Sequence, residues 1–149
     1  MRPSKILPKY IHGLKNALEK YGATQRDQYS WISKTEEHFI FSAERDHKDK
    51  ERNKYDHLEG KFIKKVRPLS KELGDAPLTV SHGKELYDAV KLTYENKDYC
   101  KLLIVNGTKY GTSSGGVRAV LDSDLWQFSA FNGTVEEGFD FILERVKAN

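Results

Sequence analysis

The sequence has one cysteine, one methionine and four prolines among 149 residues. A lone cysteine, Cys100, excludes an internal disulfide framework and fits a reducing compartment. It sits in the most apolar stretch of the chain, so it reads as a buried core thiol and not as a nucleophile. No apolar run approaches the ~20 residues that a membrane-spanning helix needs. The opening residues MRPSKILPKY carry no apolar signal core, so a cytoplasmic protein is expected. Charge of one sign is scarce too: 25 Lys and Arg stand against 22 Asp and Glu, a net +3. That excess permits anionic partners without requiring them, and no nucleic-acid partner is expected.

Recognised catalytic signatures are missing as well. There is no G-x-S-x-G, no Walker motif and no G-x-G-x-x-G. His38, His47, His57 and His82 are scattered without metal-ligand spacing. No catalytic residue, metal or cofactor is therefore expected. The Gly- and Ser-rich stretch Gly107 to Gly116 runs from strand to strand, so it lacks the helix start that a phosphate loop uses, and reads as a connection.

What is present is periodicity. Leu7, Ile11, Leu14, Leu18 and Tyr21 recur at helical spacing, with Pro8 in the first turn and Gly22 past the end. Tyr29 to Ile32 and His38 to Ala43 are strand-like and joined by the polar turn Lys34 to Glu37, which predicts a hairpin. Arg45 to Pro77 is a charged excursion. Its first part, to His57, reads as a solvated loop, and Leu58 to Val66 as a short strand. Ser81 is placed as the N-cap of a short helix carrying Leu86, Tyr87 and Ala89. Val90 to Tyr94 and Cys100 to Val105 then form a second hairpin about Glu95 to Asp98, the latter strand covered on both faces. Val117 to Leu121 and Trp126 to Ala130 follow as strands, with Trp126, Phe128 and Ala130 on one face.

The last segment has two readings. Phe139, Phe141 and Leu143 alternate as a strand does. Thr134 with Glu137 makes a capping box, and Val135, Phe139, Ile142, Leu143 and Val146 make a helical stripe, which favours a helix. The expected fold is one α+β domain over 1–149, a central antiparallel sheet with N- and C-terminal helices packed on it.

One chemical constellation competes with a binding role. Asp46 with Glu59 and Lys61 resembles the carboxylate pair and lysine of a metal-dependent nuclease, but acid-x-Lys recurs by chance in so charged a chain.

Taken together, KYGTSSGGVRAVLDSDLWQFSAF, then NGTVEEGFDFILERV, with VKLTYENKDYCKLLIV and QYSWISKTEEHFIFSAE before them, resemble the profilin family, in a divergent form such as the profilins of Asgard archaea. The resemblance implies a regulator of actin polymerisation that binds the actin monomer and belongs to the cytoskeleton. Its actin contacts would be Val135, Glu136, Glu137, Gly138 and Phe141, with Lys109, Tyr110, Arg118 and Trp126. It also implies a polyproline groove, of which only Tyr10 and Trp31 remain, so weak or absent polyproline binding is expected. Phosphoinositide binding would fall to the basic residues between Lys48 and Arg67. Another small α+β interaction module, of roadblock or longin type, is the alternative.

Overall fold

The computed structural model describes residues 11–12, 32–34, 38–44, 51–106, 118–122 and 124–146. In chain order these form β1 (Ile11–His12), β2 (Ile32–Lys34), β3 (Phe39–Glu44), β4 (Asn53–Asp56), β5 (Lys61–Val66), α1 (Pro77–Glu95), β6 (Lys101–Asn106), β7 (Arg118–Leu121), β8 (Trp126–Thr134) and β9 (Gly138–Arg145). The strands make two sheets. One has the order β1-β7-β6-β3-β2 and the other β4-β5-β9-β8. The second is antiparallel throughout, whereas β3 and β6 in the first run parallel.

The α+β class therefore stands, but the single antiparallel sheet does not. A parallel pair needs a long crossover. Here β4, β5 and α1 supply it, leaving β3 and returning to β6.

One cluster of buried side chains joins the layers. Phe41, Ala43, Leu102, Ile104 and Val120 come from the mixed sheet. Phe62, Val66, Trp126, Phe128, Phe139, Phe141 and Leu143 come from the antiparallel sheet, and Leu86, Ala89 and Val90 from α1. Rings meet edge-on inside it, Phe128 against Phe41 at 5.2 Å and against Phe141 at 5.3 Å between centroids. Ile40, Leu103 and Val105 are buried on the other face of the mixed sheet. Thus β6 is covered on both sides, as its apolar run implied.

Of the hairpin read over Tyr29 to Ala43, the antiparallel pairing of β2 with β3 is present, with Lys34, read as turn, ending β2; residues 29–31 and 35–37 lie outside the described residues. Elsewhere the structure corrects the sequence reading. Val90 to Tyr94 is not a strand but the last turns of α1. Leu86, Ala89, Val90 and Thr93 fall at helical spacing and are buried, and Thr93 Oγ1 donates to Ala89 O at 2.8 Å. Pro77 starts the helix, where its missing N–H costs nothing, and Ser81 lies inside it. The connection before it is stapled: Arg67 Nη2 lies 2.6 Å from Asp75 Oδ1, and the Ser70 N–H donates to Asp75 Oδ2. Arg67 and then Ser70 hold Asp75 below the usual carboxylate range.

The charged excursion contains strand β4, paired with β5 from Asn53↔Lys64 to Asp56↔Lys61. Ile11 and His12 pair with Ala119 and Arg118, which places strand within the stretch read as an N-terminal helix. The rest of that stretch, with Tyr10, and the residues Trp31, Asp46, Lys109 and Tyr110, lie outside the described residues.

The largest correction is at the C-terminus, where the expected helix is strand β9. The Thr134–Glu137 interaction forms, with the Glu137 N–H donating to Thr134 Oγ1 at 3.1 Å. It closes a hairpin turn between β8 and β9 and does not cap a helix. Gly133 and Gly138 flank that turn at φ +99° and +91°, a region L side chains avoid. A bulge between Phe128 and Ala130 also breaks the expected face of β8. Phe131, not Ala130, comes into register with Phe141.

These glycines allow a separation of strain from crowding. A Cβ on Gly133 would lie 2.2 Å from Gly138 O, whereas one on Gly74 (φ +87°) meets nothing within 4 Å. Gly74→Ala should cost only the ~1–2 kcal/mol of unfavourable backbone. Gly133→Ala should cost clearly more, seen as a lower urea midpoint. Equal midpoints would show that the turn relaxes freely.

Candidate functional site

The alternation of β9 places Phe139, Phe141, Leu143 and Arg145 on its buried face. Arg145 is thus a cation in the apolar phase of a strand, with its side chain only 4% exposed. Such a charge needs partners. Its Nη1 donates to His57 O at 2.7 Å, and its Nη2 reaches both His57 Nδ1 at 3.0 Å and Asp122 Oδ2 at 2.8 Å. Nε lies 3.1 Å from Asp124 Oδ2, close enough for charge attraction though not aligned as a hydrogen bond. The guanidinium carbon stacks 4.9 Å from the Trp126 ring centroid.

The partners are held in turn. Tyr55 on β4 lies 2.8 Å from His57 Nδ1 and donates to Asp122 Oδ2 at 3.3 Å. The Asp124 N–H donates to Asp122 Oδ1 at 2.9 Å, and the Asp122 N–H to Leu102 O. The Tyr55 hydroxyl and the Arg145 guanidinium thus converge on the same two atoms, His57 Nδ1 and Asp122 Oδ2. Gly60 makes room: a Cβ there would meet Arg145 Cβ at 2.9 Å.

The cluster joins the two sheets. Tyr55, His57 and Arg145 belong to the antiparallel sheet and its β4–β5 turn, while Asp122 follows β7 in the mixed sheet. Beside it Cys100 and Trp126 exchange both backbone hydrogen bonds, at 2.9 and 2.8 Å, so β6 and β8 meet across the same seam. Cys100 is fully buried, and burial pushes its thiol from the ordinary 9.0 up to about 12. That thiol is a core group, as read from the sequence.

With most of the Arg145 donors taken, the arrangement suits a fixed electrostatic latch. Sequence reasoning did not single out Arg145 or Asp122. The available signal was a charge in phase with the buried face of an alternating strand.

The residues proposed for actin contact divide. Glu136 and Glu137 are exposed and Gly138 half-exposed at the β8–β9 turn. Val135, Phe141 and Trp126 are core residues, at 7%, 1% and 0% exposure. Arg118 pairs with His12 and Asn106 in the mixed sheet. Of the nuclease-like set, Glu59 is exposed on the β4–β5 turn and Lys61 begins β5. Among the described residues no group of three or more His, Cys, Asp or Glu is placed to hold a metal. The basic residues of β5 do not stand alone: Lys61 faces Asp56 and Glu144, and Lys65 faces Asp140. No described helix is long and apolar enough to cross a membrane. No protein-family model, curated protein or solved structure matches the chain.

Removing one partner of a buried ion pair strands the other, so Arg145→Met should lower unfolding free energy by about 3–5 kcal/mol. Arg145→Lys keeps the charge but loses the fork. It should recover little of that loss in urea denaturation; full recovery would reduce the latch to simple charge neutralisation.

Because the Cys100 pKa is raised in the folded state, its stabilising contribution is whole below pH 9 and is lost as pH rises toward 12. Unfolding midpoints of the native chain and Cys100→Ala should therefore converge across that window, and a pH-independent gap would contradict the assignment.

Proposed function

We propose that this chain is a small α+β protein-binding module, and that the partner to test first is an actin monomer. The supporting observation is the β8–β9 turn. It presents Glu136 and Glu137 to solvent on a rigid base: Val135 and Phe139 are buried on either side, and the Leu69 N–H donates to Val135 O at 3.0 Å. A fixed, charged tip lowers the ordering cost of association. The profilin resemblance supplies the specific partner, and these same residues belong to its implied contact set. With Val135, Trp126 and Phe141 buried, Glu136, Glu137 and Gly138 are the members of that set that meet solvent at the turn. The mixed sheet and the strand at the C-terminus favour the broader form of the proposal, an interaction module, over its narrower actin form.

Pyrene-actin polymerisation is the direct test. Increasing amounts of the protein should slow spontaneous nucleation, and Glu136→Lys with Glu137→Lys should weaken that effect at least about tenfold, a loss of ~1.4 kcal/mol. Both positions are exposed, so the melting temperature should not move. No slowing with the actin of its own source would remove actin and leave the module reading.

A further inference from the structure

The antiparallel sheet ends at β8, and that edge is only partly closed. At one end Trp126 sends its N–H and C=O outward to Cys100. On the opposite side of the strand the Val146 N–H donates to Leu125 O, so odd-numbered residues here face β9 and even-numbered ones face out. Phe128, two residues beyond Trp126, therefore turns its N–H and C=O to the outer side. Cys100 cannot be followed by a further pair, because the preceding chain bends away. Lys97 has φ +55°, and the Asp98 N–H is bound to Thr93 O. The slot opposite Phe128 is vacant of backbone partners among the described residues.

That slot opens into a groove of about 410 Å³ between the strand and the last turn of α1, lined by Thr93, Tyr94, Glu95, Lys97, Gln127, Phe128 and Ser129. Its walls are fixed. Gln127 Nε2 donates to Lys97 O at 3.0 Å, and the Tyr94 ring packs edge-on against Phe131 at 5.9 Å while staying 39% exposed.

We infer that this groove takes an extended segment of another polypeptide, which adds as a strand beside Phe128 in line with Cys100. An outward donor and acceptor on one strand residue match the main chain of an extended peptide, and Tyr94 offers a flat apolar wall to one of its side chains. The bulge at Ser129 ends the regular ladder, so pairing is short and the affinity modest. This site is separate from the β8–β9 turn and does not depend on the actin reading.

The test uses the full chain, nitrogen-15 labelled, with an acetylated and amidated hexapeptide alternating threonine and valine. At ten times its dissociation constant, the peptide should slow exchange of the Phe128 amide about tenfold by mass action. The same peptide methylated on all its central amide nitrogens should not. No slowing at millimolar peptide would overturn the proposal. Equal slowing by the methylated peptide would also overturn it, since that shows groove packing without strand pairing. Protection that grows with protein concentration in the absence of peptide would place a second copy in the slot, and would overturn it likewise.

Discussion

The seam between the two sheets depends on one guanidinium. Arg145 reaches from β9 to Asp122 beyond β7, with His57 and Trp126 on either side. A buried ion pair is a poor source of raw stability, because desolvation offsets much of the attraction. Its stronger effect is on register. Strand side chains alternate, so a one-residue slip of β9 would turn Arg145 to solvent and drive Asp140, Ile142 and Glu144 inward. The latch therefore discriminates against misaligned sheets more than it deepens the native well. Gly60 and the Cys100–Trp126 pair fit the same constraint, one by leaving room for the side chain and the other by fixing β8 beside β6.

The C-terminal segment shows how one hydrogen bond can serve two structures. A Thr–x–x–Glu sequence bonds the Thr134 side chain to the Glu137 N–H in a helix cap and in this hairpin turn alike. The glycines distinguish them. Gly138 inside a first helical turn would cost up to ~1 kcal/mol against alanine, whereas this hairpin holds it at φ +91°, a conformation open to glycine. Arg145 was the second discriminator, since it continues the alternation of Phe139, Phe141 and Leu143. The helical stripe had no place for it.

Local pattern made β6 and β3 legible, because each is a short run of mainly apolar residues. It misread Val90 to Tyr94, where β-branched and aromatic residues suit a strand locally. The longer spacing of Leu86, Ala89, Val90 and Thr93 decides for helix once the core is formed. It also hid β4, whose Asn53 and Tyr55 face inward from an otherwise charged run. The latch was beyond such reading for a different reason. His57 and Arg145 are 88 residues apart in sequence, and no local period relates them to Asp122.

An open sheet edge invites unwanted pairing, and proteins blunt it by bulges, short strands or cover. Here β8 uses two such devices. Cys100 covers Trp126, and the bulge at Ser129 interrupts the line two residues beyond Phe128's neighbour Gln127. What is left between them is too short to template a long intermolecular sheet, yet its backbone groups point into a walled groove. An edge restricted in this way draws little affinity from its ladder. Discrimination among partners then falls to the side chains that line the walls, and Tyr94, with its ring half in the aromatic cluster and half in solvent, is the residue best placed to supply it.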